Sequence, residues 1–181
     1  KLGSMVEVES EKVDDSSGRA KATRIRFGSE IVGPVQSVDT VANSFVVLGQ
    51  TVDVKPETVF DDSLGATGVA GLAGKVVEVH AQRDAASGHL VASRIEDKSA
   101  ASAFKLRGTV SALEPNAKTF QIGTAVINYA GIAPADLPAN LANGMKVRVK
   151  LLTAQVGGQW VATSVRSGER KVEDHDDARL I

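Results

Sequence analysis

The pattern Ala22-Thr23-Arg24-Ile25 returns as Ala92-Ser93-Arg94-Ile95 and again as Ala162-Thr163-Ser164-Val165, starting at 22, 92 and 162, 70 residues apart each time. A fixed period of this size marks a repeated supersecondary unit, and it governs how every other segment is read. The front of the unit recurs as well. IVGPVQSVDTVANSF (31–45) aligns with LRGTVSALEPNAKTF (106–120), so that Gly33 falls on Gly108, Val35 on Val110, Val38 on Leu113, Asn43 on Lys118 and Phe45 on Phe120, an offset of 75. GKVVEV (74–79) aligns with GMKVRV (144–149) and LVASRI (90–95) with WVATSV (160–165) at 70, which implies a five-residue deletion in the middle loop of the second copy. Two full copies are therefore expected over 28–98 and 104–168. Val6-Glu7-Val8 and the stretch 18–25 match only the back of the unit, so 5–27 reads as the C-terminal half of a repeat. Residues 1–4, ahead of Met5, read as cloning-site residue, and 169–181 as a charged tail.

Within each copy the periodicity is that of strands. Val52-Asp53-Val54, Val77-Glu78-Val79 and Val147-Arg148-Val149 alternate apolar and polar residues, the period-2 signature of a half-buried strand. DDSSG, DAASG and QVGGQ place small, polar and glycine residues between such runs and read as hairpin turns. Five strands are predicted in the first full copy, near 30–39, 44–49, 51–55, 75–83 and 89–97, with a loop before the fourth that holds one short helical turn. Five short strands in so few residues favour closure, which removes exposed edges. The expected fold is all-β: tandem small five-stranded antiparallel barrels, OB-like or SH3-like, with a sandwich of repeats as the alternative. A unit near 70 residues buries only about 60% of its extended-chain surface, so packing between copies is expected to matter. EDKSAASA (96–103) reads as a linker separating the full copies, whereas RFGSEIVG (26–33) joins the half copy directly to the next strand.

Charge narrows the partners. With 21 basic and 22 acidic residues the formal charge is −1, which gives no electrostatic footprint for a phosphate backbone and disfavours nucleic acid. Cysteine is absent, which excludes disulfides, thiolate metal sites and cysteine nucleophiles. No apolar run approaches the roughly 18 residues that cross a bilayer, and the start carries no signal segment.

The order GPVQSVD, SFVVLGQTVDVKPETVFDD, LAGKVVEVHAQRDAASGHLVASRIE resembles the bacterial domain of unknown function numbered 5666. Gly-x-Val, the Thr-x-Phe-Asp turn at Thr58 to Asp61, Gly-x-Val-Val-x-Val and Ala-x-Arg-Ile carry the resemblance, which spans both full copies and the half copy. The last copy departs from it, with YAGIAPADLPAN in place of Thr-x-Phe-Asp. The resemblance implies a β-barrel-like fold and a setting in the bacterial periplasm, anchored at the outer membrane or extracellular. It implies no activity.

The copies inside the chain are the available test of what the fold itself demands. Phe45 and Phe120 coincide and read as core. Trp160 takes the place of Leu90, and Tyr129 that of Val54, so both read first as packing sites and second as stacking platforms for a ligand. Arg24 and Arg94 are equivalent, and read first as a solvated ladder facing acids such as Glu7 or Glu78, and second as a stripe for an anionic ligand. His80, His89 and His175 align with polar residues or with nothing and lack metal-site spacing, so no metal site is expected. Asp14-Asp15 and Asp61-Asp62 read as turn caps rather than an acid–base pair. Ser16, Ser17, Ser37 and Ser93 lack a matching histidine, and GATG and GLAG lack the framing of a phosphate loop.

No catalytic residue and no cofactor are assigned. The expected function is a non-catalytic envelope or extracellular module acting as a spacer or protein-interaction surface, with self-association through strand edges of the half copy as a further route. The alternative is an OB-like binding domain for oligosaccharide or another extended polymer.

Overall fold

The structure is a computed structural model that describes residues 2–4, 6–11, 13–14, 16–27, 29–65 and 67–168; for 6, 7, 9 and 24–27 it describes the backbone alone. It is all-β. A hairpin of β1 (Val6–Ser10) and β2 (Ala22–Phe27) precedes β3 (Ile31–Asp39), β4 (Ser44–Val47), β5 (Gln50–Phe60), β6 (Val76–Arg83) and β7 (Leu90–Asp97). These last five strands close into a barrel: β3 pairs with β4, β4 with β5, β5 with β7, β7 with β6, and β6 again with β3. One pairing corrects the expected wholly antiparallel barrel, because β5 and β7 run parallel. The loop after β5 buries Leu64, Val69 and Leu72, and β6 pairs antiparallel with β7 on the side away from β5, which leaves β5 and β7 as neighbours in the same direction.

The third strand runs past Pro56 to Phe60, well beyond the expected 51–55. Its ladder slips between Val54 and Val59, and Thr58 fills the gap: its hydroxyl accepts from Lys55 N at 3.0 Å and donates to Ala92 O at 2.7 Å. Proline is tolerated at such a bulge because no ladder hydrogen bond is asked of it. Two 3-10 turns follow where one was expected, Asp62–Leu64 and Gly68–Leu72, and they bury Leu64, Val69 and Leu72.

The second half comprises β8 (Phe104–Thr109), β9 (Ser111–Glu114), β10 (Thr119–Ile122), β11 (Ala125–Asn128), β12 (Lys146–Val156) and β13 (Gln159–Ser167). Val110 alone separates β8 from β9, and together they stand in the order where β3 stands in the first half. β9 pairs with β10, β10 with β11, β11 in parallel with β13, β13 with β12, and β12 with β8.

The two halves meet through equivalent residues. β3 pairs antiparallel with β8, Ile31 directly opposite Leu106 and Val32 opposite Lys105, so the strands cross at a local dyad between positions 75 apart. A second contact lies at equivalent hairpin turns, where Thr124 N and Oγ1 both approach Gly49 O at 3.1 Å. The buried Gln50 donates from Nε2 to Ile122 O at 2.6 Å. The segment expected to hold the copies apart is a short turn, tied by Ser99 N to Asp97 Oδ1 at 2.9 Å and by Ala101 N to Lys98 O at 2.8 Å. Sheet hydrogen bonds continue across the junction, and the buried apolar side chains of both halves form one contiguous cluster. Phe45 and Phe120, 1% and 0% exposed, both belong to it.

The β1–β2 hairpin has the register of β6–β7 and β12–β13. Val8 opposes Ile25 as Val79 opposes Ile95 and Val149 opposes Val165. In each the ladder slips at the next step, after Glu9, His80 and Lys150. The first two also share a turn: Asp14 N bonds Arg19 O and Gly18 N bonds Asp14 O, as Asp84 N bonds His89 O and Gly88 N bonds Asp84 O. Ile95 and Val165 are both 0% exposed; the side chain of Ile25 lies outside the described residues.

The recurring glycine at 33 and 108 has a packing cause. A Cβ on Gly33 would stand 2.5 Å from Leu48 Cγ, and one on Gly108 would overlap Ile122 Cγ2, a branched group with little freedom to turn. Gly108→Ala is therefore expected to destabilise the chain by about 1–3 kcal/mol through overpacking, read as a lower urea midpoint with an unchanged slope. An unchanged midpoint would show that the second half yields there.

Candidate functional site: a charged groove across both halves

Alternation along the strands sends one set of side chains into the core and the other onto a continuous outer face formed by β6, β3, β8, β12 and β13. On β12, Val147, Val149 and Leu151 point inward and Lys146, Arg148 and Lys150 outward. A groove of about 360 Å³ crosses the junction on this face. Glu30, Glu78 and His80 line it from the first half; Lys105, Arg107, Arg148, Lys150 and Arg166 line it from the second.

The first half neutralises its charges internally. Glu78 on β6 lies directly opposite Glu96 on β7, an unfavourable pair by itself. Lys98 Nζ bridges them, 2.8 Å from Glu78 Oε2 and 3.5 Å from Glu96 Oε2. Arg94 adds a second cation, Nε donating to Glu96 Oε1 at 2.6 Å and Nη2 to Asp61 Oδ2 at 2.9 Å. Burial works to raise the Glu78 carboxyl, but the Lys98 ammonium and the Ser29 hydroxyl, both donating to it, hold it below the ordinary value. The bond to Glu96 raises the Arg94 guanidinium, and the bond to Glu78 raises the Lys98 ammonium.

The second half has no such balance. Arg148 lies directly opposite both Arg107 on β8 and Arg166 on β13, and Lys150 lies opposite Lys105. Arg107 reaches Glu30 Oε1 at 3.3 Å and donates to Gly168 O at 3.1 Å. Among the described residues, no carboxylate forms an ion pair with Lys105, Arg148, Lys150 or Arg166.

Among the sequence candidates, Arg94 lies directly opposite the groove-lining His80, and its role differs from the expected solvated ladder. It is 6% exposed and opposes His80 in the register, so its partners are Glu96 and Asp61 rather than Glu7 or Glu78. Its charge is already spent within the fold. The side chain of Arg24 lies outside the described residues. Trp160 and Tyr129 are 6% and 4% exposed. Trp160 packs edge-on against Phe104 with ring centres 5.7 Å apart, and Tyr129 against Phe120 at 5.7 Å, so both rings serve the core and present no stacking face.

His80, which aligns with polar residues of the other copies, is nonetheless 6% exposed; His89 lies 3.1 Å from Asp53 Oδ1, and His175 and Asp15 fall outside the described residues. Among the described residues no group of three or more metal-ligating side chains converges, and no helix is long and apolar enough to cross a membrane. Asp14 caps its turn, accepting from Ser16 Oγ at 2.6 Å, Ser16 N at 2.9 Å and Ser17 Oγ at 2.9 Å, which lowers its carboxyl to about 2. Asp61 accepts from Ser63 Oγ at 2.7 Å and Ser63 N at 3.2 Å.

Two outcomes follow from these pairs. Arg94→Met removes the guanidinium that donates to both Glu96 and Asp61 and is expected to cost about 3 kcal/mol, measured by urea unfolding against the exposed Lys55→Met as a control. The carboxylates of Asp14, Glu78, Asp84 and Asp97 are held below their ordinary values in the fold. The stability they contribute is present above the unfolded carboxylate value near about 4 and lost as pH falls through the folded values. The urea midpoint is expected to hold from neutral pH to about 5 and to fall towards about 2, with a shallower fall in Glu78→Gln.

The cationic side of the groove escaped the sequence reading, although its signal was there. Glu30 aligns with Lys105 at the offset of 75, and Glu78, His80 and Glu96 align with Arg148, Lys150 and Arg166 at 70. Comparing the copies for what differs in charge, rather than for what recurs, exposes it.

No curated protein and no solved structure matches the chain. The family model described as Domain of unknown function (DUF5666) matches residues 32–96. Those residues run from the start of β3 almost to the end of β7, so the match to this family covers the closed five-stranded barrel of the first half.

Proposed function

We propose that the chain is a non-catalytic envelope or extracellular module, in which two OB-like barrels in tandem, preceded by the back half of a third, act as a spacer and protein-interaction surface. The observation that carries this reading is the sheet that continues from β3 into β8, which presents one charged face across both halves. Residues held on paired strands stay fixed relative to one another, as a docking surface requires. Parallel pairing of the third and fifth strands in each half favours OB-like over SH3-like order. The envelope setting rests on the family resemblance, and the absence of cysteine is compatible with it. The non-catalytic assignment is supported by the geometry of the groove, where the first half's charges are tied up in ion pairs and the second half's are all cations.

The oligosaccharide alternative is weaker because Tyr129 and Trp160 lie in the core. Photo-crosslinking in the producing cells from position 150 on the groove, with position 55 on the far strand as control, is expected to trap envelope proteins from 150 alone. A glycan array is expected to stay blank. Saturable glycan binding without protein adducts would replace this reading with the polymer-binding one.

A further inference from the structure

We propose that the cationic half of the groove docks a short acidic segment of a partner protein, one carboxylate of which lies between Arg148 and Arg166. The proposal rests on the interaction-module reading and names the chemistry of the partner.

The argument comes from the internal symmetry. Arg148 and Arg166 occupy the positions of Glu78 and Glu96, directly opposite one another on adjacent strands in both halves. In the first half the like-charged pair is held by the ammonium of Lys98 between the two carboxylates. In the second, position 168, equivalent to 98, is glycine, and position 164, equivalent to Arg94, is serine. The second pair has the opposite sign and no internal counter-charge among the described residues. Like charges directly opposite on a sheet are destabilising, and the first half shows that the scaffold does not require cations there. A carboxylate from outside completes the arrangement, and guanidinium forks suit it because they bind carboxylates in bidentate fashion.

The extent of the array defines the ligand. Cations occupy three neighbouring strands, about 5 Å apart, and two positions along β8 and β12, about 7 Å apart. Glu30 and Glu78 border the array on the first half, so a long polyanion would run onto carboxylates whereas a run of a few acidic residues would not. Among the described residues no phenylalanine, tyrosine or tryptophan lines the groove to stack a base or a sugar.

The test is fluorescence anisotropy of a labelled glycine-flanked hexaglutamate peptide titrated with the full chain at low and high salt. Saturable, salt-weakened binding is expected, with at least a tenfold loss in Arg148→Glu/Arg166→Glu, which installs the residues of the first half. Arg148→Gln/Arg166→Gln gives the same reading if the reversal unfolds the chain, and Lys55→Glu is expected to stay within twofold. Absent binding, or binding unchanged in both double variants, would overturn the proposal; protein crosslinks from position 150 would then leave the module reading standing. Tighter binding of a sulfated oligosaccharide or a single-stranded oligonucleotide, lost in the same variants, would also overturn it. So would peptide binding seen only after Glu173, Asp174, Asp176 and Asp177 are converted to their amides, which would make the chain's own tail the occupant.

Discussion

Ile31 on β3 and Leu106 on β8 face each other across an antiparallel pair, 0% and 1% exposed, and the joining of β3–β7 to β8–β13 in one sheet depends on that contact. Burying each side chain is worth about 1.5–3 kcal/mol, and the ladder around them pairs backbone groups that would otherwise form two exposed edges. A unit of this size has a small core of its own, and the junction enlarges it. Because equivalent positions meet, the contact is self-complementary in the way a two-fold interface is. The Gly49–Thr124 and Gln50–Ile122 hydrogen bonds add a second anchor at the hairpin turns. With two anchors the halves cannot swing about a single strand, and the outer face becomes one surface.

That surface shows the same scaffold carrying charge in two ways. In the first half, burial of Arg94 against Glu96 and Asp61 consumes the charges in the fold. In the second, Arg148, Lys150 and Arg166 at the equivalent strand positions face outward and, among the described residues, form no ion pair. Both halves keep apolar or aromatic residues inward, mostly valine, leucine, isoleucine and phenylalanine with Tyr129 and Trp160 added in the second, because close packing constrains volume and polarity inside. Nothing comparable constrains the outward positions, so they are free to diverge.

The repeat period made much of the fold legible: the all-β class, the five strands of the first half, the core phenylalanines and the hairpin of 5–27 all follow from alternation and recurrence. The boundaries that failed have physical causes. β5 extends through Pro56 because the Thr58 hydroxyl takes over the missing ladder bonds, and no local periodicity announces that. The segment 96–103 looks like a spacer by composition, yet strand pairing on either side of it brings the halves together. Of the site candidates, Trp160 and Tyr129 were legible as core because aliphatic residues replace them in the other copy.

The sequence by itself determined the repeat, the strand alternation, the turn chemistry of Asp14 and Asp84, and which residues are apolar enough to be buried. These are local properties, set by side-chain period and by hydrogen bonds within a few residues. Only the tertiary structure decided that β5 and β7 run parallel, that Arg94 is buried in an ion pair rather than spread on a solvated face, and that five cations from β8, β12 and β13 share one groove. Those outcomes depend on register between strands far apart in the chain, and register is settled by the closure of the barrel and the meeting of Ile31 with Leu106.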